Sequence, residues 1–426
     1  MKIKTDCPVT GKLDFRTEKI SLNISNHNHE IDPKDVEIMS LQSTLKQNSI
    51  AIDKNLRQIF DDTCRRYPSE ISSKISFPKV QKNMNNAKKS KYPKIPRSIS
   101  EFCTNLGLSS SLNKNLKSII RNEERIIAIL FFSDEMIEII GNQFSEICYD
   151  GTFFVVPKLF TQLFIISVKC SNRFLPTFFV LMESRDTQAY ELVFRRIKEL
   201  LPDFSPMISI GDYEIASMAS IRRCFPNILS FGCYFHFRQS VLRKLGELNL
   251  KNFYIKDKLA NQWFDLLFKV GFLPSSKIQS FINKLTSFIA GTAPQQSKIY
   301  IFLHYYSRTW LNNLQKINWF DAPYYTNNFS ESFNKKLKIV MGSHHANPWK
   351  FVGILNEIIE DNKLENLRIK NKISTTRQID PSKVIRIPYN LKMQLLNDEI
   401  DSLNYIKEIF GISEIHQEIE RNFIMS

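Results

Sequence analysis

Between residues 146 and 237 the chain reads as five apolar strands and two amphipathic helices, in the order strand, strand, strand, helix, strand, helix, strand. The strands are "EICYDGTFFVV", "FTQLFIISVKC", "RFLPTFFVLM", "PMISIGDYE" and "ILSFGCYFHF". The first helix, "DTQAYELVFRRIKELLP", carries Tyr190, Val193, Phe194, Ile197, Leu200 and Leu201 at helical spacing. The second, "EIASMASIRRCFP", is closed by Pro226. Three consecutive strands followed by an alternation of helix and strand predict a mixed α/β sheet.

The first strand holds one acid, Asp150, among apolar and aromatic neighbours, and Gly151 follows it at once. Asp-Gly is a common hairpin turn, so "YDGTF" could join two strands. The other reading is a metal-binding acid held on a rigid strand. Asp212 ends the fourth strand, where it either caps the next helix or joins Asp150. If the first and fourth strands are neighbours, the two carboxylates face each other across about 4.8 Å. Carboxylates that close repel in a dry site unless a cation lies between them. A hard divalent ion with oxygen ligands, Mg²⁺ or Mn²⁺, resolves that conflict. A third acid is expected from a helix packed on the same sheet edge. Glu331, in the first turn of "TNNFSESF" after a cap at Asn327 or Asn328, is the choice; Glu214 and Asp321 are the substitutes. The competing reading of Glu331 is a solvent-facing acid that favours the helix dipole.

The formal net charge of +15 and pI of about 9.3 favour a polyanionic partner, with nucleic acid foremost. Seven cysteines without a framework fit a reducing compartment, the cytosol or nucleus. No apolar stretch approaches the roughly 20 residues that span a bilayer, so no membrane is expected as partner.

Ahead of the sheet, residues 1–32 end in "SLNISNHNHEIDP", with a short strand at Leu22 and Ile24 and a His27-x-His29 pair. Residues 33–70 have helical spacing. From Ile71 to Ser100 there are eight Lys or Arg and no acid. The core of that run, "KNMNNAKKSKYPKIPR", is poor in large apolar residues and reads as a basic linker, or an arm that orders on DNA. Lys82, Lys88, Lys89, Lys91, Lys94 and Arg97 are its candidate phosphate contacts. Residues 101–145 read as a lead-in of helix and strand. After the core at 146–240, an all-α insertion is expected over 241–320, then the Glu331 helix and a second helix to 372, and a partly helical tail over 373–426.

Four stretches carry a resemblance: "YDGTF" at 149–153, "GDYEIASMASIRRCFP" at 211–226, "GCYFHFRQSV" at 232–241 and "YTNNFSESFNKKL" at 325–337. In this order and spacing they resemble the transposase domain of Mutator-like elements, whose catalytic core resembles ribonuclease H. The resemblance covers about residues 120–370. It implies an Asp-Asp-Glu transposase that cleaves DNA and transfers strands, with Asp150, Asp212 and Glu331 as the metal-holding triad. It also implies transposon ends and target DNA as partners, a homo-oligomer on DNA and a nuclear location. A rival reading is a domesticated or decayed transposase that binds DNA as a non-catalytic regulator. A ribonuclease or exonuclease on the same fold is a third.

Cys233 and His236 form a C-x-x-H that the resemblance places beside the second acid. They read as half a zinc site or as a packed pair supporting the strand end. The second is preferred, because no other Cys/His pair stands at ligand spacing and the nearest candidates, His344 and His345, are far along the chain. At the N-terminus, Cys7, His27 and His29 resemble the tail of a FLYWCH-type zinc finger whose first cysteine and strand are missing. Three ligands do not close a structural zinc site, so a remnant that holds no zinc is expected.

Overall fold

The structure is a computed structural model that describes residues 11–14, 19–22, 33–51, 55–90, 92–141, 144–170, 173–289, 291–342, 345–371, 373 and 387–424. Cys7, His27, His29, Lys91 and His344 lie outside them. The chain divides into two compact units, Met1–Lys94 and Ile95–Ser426.

In the first unit, β1 (Gly11–Asp14) pairs antiparallel with β2 (Lys19–Leu22). Helices α1 (Pro33–Ala51), α2 (Leu56–Cys64), α3 (Ser69–Ser72) and α4 (Phe77–Ser90) follow. Their core joins Leu41 and Leu45 to Ile59, Phe60, Ile71, Ile75, Val80 and Met84. The basic run is therefore not an extended arm over its first half. Val80 and Met84, one turn apart, bury on one face of α4 and dock it against α1. Lys82 and Lys89 lie on its exposed face and Lys88 is partly exposed. Lys94 and Arg97, beyond the helix, are exposed.

The second unit is built on a seven-stranded mixed sheet. Helix α5 (Ile99–Leu108) precedes the antiparallel pair β3 (Leu116–Asn122) and β4 (Arg125–Phe131), and α6 (Asp134–Ile140) follows. Residues 101–145 are thus more than a lead-in, since they supply two strands of the sheet. Then come β5 (Glu146–Thr152), β6 (Gln162–Cys170), β7 (Arg173–Met182), α7 (Thr187–Leu200), β8 (Ile208–Gly211), α8 (Ile215–Cys224) and β9 (Leu229–Gly232). The spatial order is β3-β4-β7-β6-β5-β8-β9. The β5–β8 and β8–β9 pairs are parallel and the rest antiparallel. The central strands β6 and β7 are nearly continuous in apolar residues because both of their faces are covered. On one face Ile147, Tyr149, Phe164 and Ile166 pack with Tyr190, Val193 and Phe194 of α7 and Ile221 of α8. On the other, Cys148, Phe174, Ile210 and Phe231 meet Tyr324 and Phe329.

The chain turns helical at once after β9, at Tyr234 rather than near residue 241. Helices α9 (Tyr234–Glu247), α10 (Lys251–Lys256), α11 (Lys258–Lys269), α12 (Ser275–Thr286) and α13 (Ala293–Thr309) enclose their own core. Ala260, Trp263, Phe264 and Leu267 recur at one-turn spacing along α11 and all are buried there. The tail is part of this core: α16 (Tyr389–Leu396), α17 (Ser402–Phe410) and α18 (Gln417–Ile424) contribute Leu395, Tyr405, Ile406 and Ile419. Between them, α14 (Asn328–Met341) and α15 (Pro348–Lys370) pack against the sheet. Asn362 of α15 donates to the Pro176 carbonyl at 3.1 Å, in a strand where proline itself can give no ladder N–H. Among the described residues no helix is long and apolar enough to cross a membrane.

Candidate functional site

The strand pleat decides where the acids point. Ile147 and Tyr149 enter the core beneath α7, so Cys148 and Asp150 face the opposite side, toward α14. Asp150 lies inside β5 and pairs with Ile165 of β6, which rules out the turn of a hairpin. The strand does stop at Thr152 instead of running on to Val156. In the parallel pair, Glu146 lies opposite Ile208 and Cys148 opposite Ile210. The same register carried two residues on sets Asp212 beside Asp150, just past the end of β8. Asp212 does not cap α8; Glu214 holds that position, without a side-chain cap bond.

One residue earlier the register sets Tyr149 beside Gly211. The buried ring lies over the glycine so closely that a Cβ there would sit 2.2 Å from it. Gly211 is thus required by a ring, and through that ring the two acid-bearing strands are fixed against each other.

Helix α14 presents a polar stripe to this sheet edge. Asn327, Ser330, Glu331 and Asn334 recur at one-turn spacing, and the stripe turns apolar at Leu337 and Met341. Asn327 stands at the N-cap, yet its side chain does not cap the helix. Its amide donates instead to the Tyr149 carbonyl at 3.0 Å, and its backbone N–H to Cys233 Sγ at 3.2 Å. Ser330 Oγ and Cys148 Sγ share a hydrogen bond at 3.5 Å. Asn334 Nδ2 donates to Asp150 Oδ2 at 2.7 Å, while the Gly151 N–H donates to Oδ1 at 2.9 Å. The segment before α14 is tied to the end of β9. Trp319 Nε1 donates to the Gly232 carbonyl and the Tyr234 N–H to the Tyr325 carbonyl, each at 2.7 Å.

Asp150 is 7% exposed, and its carboxyl is pushed up to about 7. Burial is the largest cause, then the charge of Asp212, with Glu331 adding to it; the Gly151 N–H and Asn334 hold it back. Asp212 is pushed up to about 6, by burial and then by Glu214, with the Glu214 N–H and Arg185 opposing. Burial also raises Glu331. Three acids from β5, the end of β8 and α14 therefore occupy one partly desolvated corner.

The two substitutes for the third acid are engaged elsewhere. Glu214 Oε1 accepts from Arg185 Nε at 2.9 Å and Oε2 from the Tyr190 hydroxyl at 2.5 Å. Asp321 has an exposed side chain 3.7 Å from Lys392 Nζ. Glu331 Oε1 is buried without a hydrogen-bond partner. On its other side Glu331 meets the C-x-x-H pair: one ligand atom from each of Cys233, His236 and Glu331 lies within 4.8 Å of the others.

Sequence reasoning did not single out Asn334, Arg185 or the Tyr149–Gly211 contact. Asn334 was within reach, because it lies three residues after Glu331 and so shares its helix face.

Residues 146–240 match the family model of the MULE transposase domain. The match contains Asp150, Asp212, Cys233 and His236 and ends before Glu331. It does not reach the N-terminal residues read as a zinc-finger remnant. No curated protein matches the chain. A transposase domain implies DNA as partner, and transposases of this family generally use divalent metal ions.

Proposed function

We propose that the chain is a DNA transposase of the Mutator-like type, with a ribonuclease H-like core in which Asp150, Asp212 and Glu331 hold the divalent metal. The observation that carries this reading is the convergence of three acids, from two adjacent parallel strands and one helix, inside a MULE transposase domain and its return helix. The donor set fits a hard ion such as Mg²⁺ or Mn²⁺. It is all oxygen, two of its members are raised by burial and like charge, and Glu331 Oε1 accepts no hydrogen bond.

When bound, the ion supplies charge stabilisation to an in-line phosphoryl transfer, either hydrolysis of a phosphodiester or joining of a freed 3′ end. The rest is positioning by the chain. The Gly151 N–H and Asn334 hold both Asp150 oxygens in a fixed direction. Tyr149 against Gly211 fixes the distance between the acid-bearing strands. Arg185 sits near Asp212 and engages Glu214, which occupies that carboxylate in a hydrogen bond of its own. The excess of 15 positive charges, including Lys82, Lys88, Lys89, Lys94 and Arg97, grips phosphates, so affinity falls steeply with salt. The protein works in the nucleus, as a homo-oligomer on DNA.

Glu331→Gln and Glu214→Gln discriminate the third ligand. Glu331→Gln is expected to lower magnesium-dependent strand cleavage by about a hundred- to a thousandfold, with DNA affinity nearly unchanged. Glu214→Gln keeps most of the activity, because its carboxylate serves Tyr190 and Arg185. The reverse pattern in a nicking assay would reassign the ligand.

A further inference from the structure

The C-x-x-H pair is left over from this chemistry, and its surroundings suit a different ion. Cys233 stands at the N-cap of α9 and His236 in the first turn, on the same face three residues on. Cys233 is fully buried, and its Sγ accepts the Asn327 N–H at 3.2 Å. That is the kind of outer contact that orients a metal-binding sulfur. His236 Nε2 lies 3.8 Å from Glu331 Oε1, beyond hydrogen-bond reach. Neighbouring ligands of a tetrahedral zinc, at about 2.0–2.3 Å from the ion, stand about 3.3–3.6 Å apart, so the His236–Glu331 pair needs to close by only a few tenths of an ångström. The His236 and Glu331 side chains are 30% and 29% exposed, which leaves an ion a way in.

We propose that Cys233, His236 and Glu331 form a second metal site, for a thiophilic divalent cation of the zinc class, with its fourth position open to water. The ligand set of sulfur, imidazole and carboxylate selects such a cation over magnesium, which takes oxygen. Burial keeps His236 neutral, the form of imidazole that binds metal. The site rests on the triad reading only in that Glu331 is shared between the two.

Cobalt(II) reports a thiolate ligand directly through sulfur-to-metal charge-transfer absorption. The full chain, stripped with chelator, is titrated with cobalt. One equivalent is expected to give that band together with tetrahedral visible bands, and zinc to bleach both. The band should vanish in Cys233→Ser and in His236→Ala, each checked for folding by circular dichroism. Glu331→Gln should weaken cobalt binding by at least about tenfold. Asp150→Asn and Cys7→Ser should leave the band intact. Absence of a thiolate band at one equivalent, or a band that survives Cys233→Ser and disappears with Cys7→Ser, would overturn the proposal. Because Asp150→Asn disables the triad and not this site, the two readings fail separately.

Discussion

In metal-free buffer at pH 8, Asp150→Asn should melt higher than the unsubstituted chain. The carboxyl sits at about 7 in the folded protein against an ordinary 3.8. Between those values the folded chain holds a proton that the unfolded chain has lost. Stability is therefore full below about 3.8, falls as pH rises through the interval, and is lowest above 7. That difference corresponds to roughly 4 kcal/mol, an upper bound for this one group. Asparagine removes the charge at nearly the same shape. Its new NH₂ group would face a donor, but Asn334 can turn its amide, whose Oδ1 has no partner, and accept. We expect a net gain of about 2 kcal/mol at pH 8, or about 3 °C in melting temperature for a unit of this size, shrinking toward zero near pH 4. Magnesium should raise the melting temperature of the unsubstituted chain at pH 8 and leave that of Asp150→Asn almost unmoved. Scanning calorimetry at both pH values checks this. A variant no more stable than its parent at pH 8 would contradict the strained acid pair.

The second large effect is structural. Gly211→Ala places a Cβ 2.2 Å from the Tyr149 ring, which is fully buried and has nowhere to swing. Either the ring leaves its place among Phe164 and the α7 residues or β5 and β8 separate, and both disturb Asp150 beside Asp212. Overpacking of this kind costs about 1–3 kcal/mol. Cleavage should fall further than stability alone explains, because the acids move with the strands. Gly246, in the last turn of α9, has nothing within 4 Å of its own Cβ position. Gly246→Ala should therefore stabilise by about 0.5–1 kcal/mol. Urea midpoints for the pair read both signs at once, and equal midpoints would show that the ring contact imposes no constraint.

These effects also mark where the sequence was legible. The alternation of strands and helices carried the mixed sheet, while the adjacency of β5 and β8 entered only as a condition that their pairing meets. The polar stripe of α14 was half visible: Glu331 was chosen for its place in the first turn, while Asn334, on the same face, was passed over. The Tyr149–Gly211 contact needs the register of two strands some sixty residues apart, which composition does not carry. Helix α4 was misread because only Val80 and Met84 mark its buried face amid lysines. Docking against α1, more than intrinsic propensity, makes it a helix. The docking of the tail was not legible because its partners are distant in sequence: α17 packs on α12, and Tyr405 meets Phe320, about a hundred residues earlier.

Asp212→Asn tests the central claim most directly, since Asp212 belongs to the acid pair and lies outside the Cys233–His236 cluster. Nicking of supercoiled plasmid by the full chain is measured in magnesium and in chelator, beside this variant at equal DNA binding. Cleavage that requires magnesium and falls by about a hundred- to a thousandfold in Asp212→Asn is the predicted result. Nicking that persists in chelator, or that survives Asp212→Asn at undiminished rate, would contradict a metal-dependent site built on Asp150, Asp212 and Glu331.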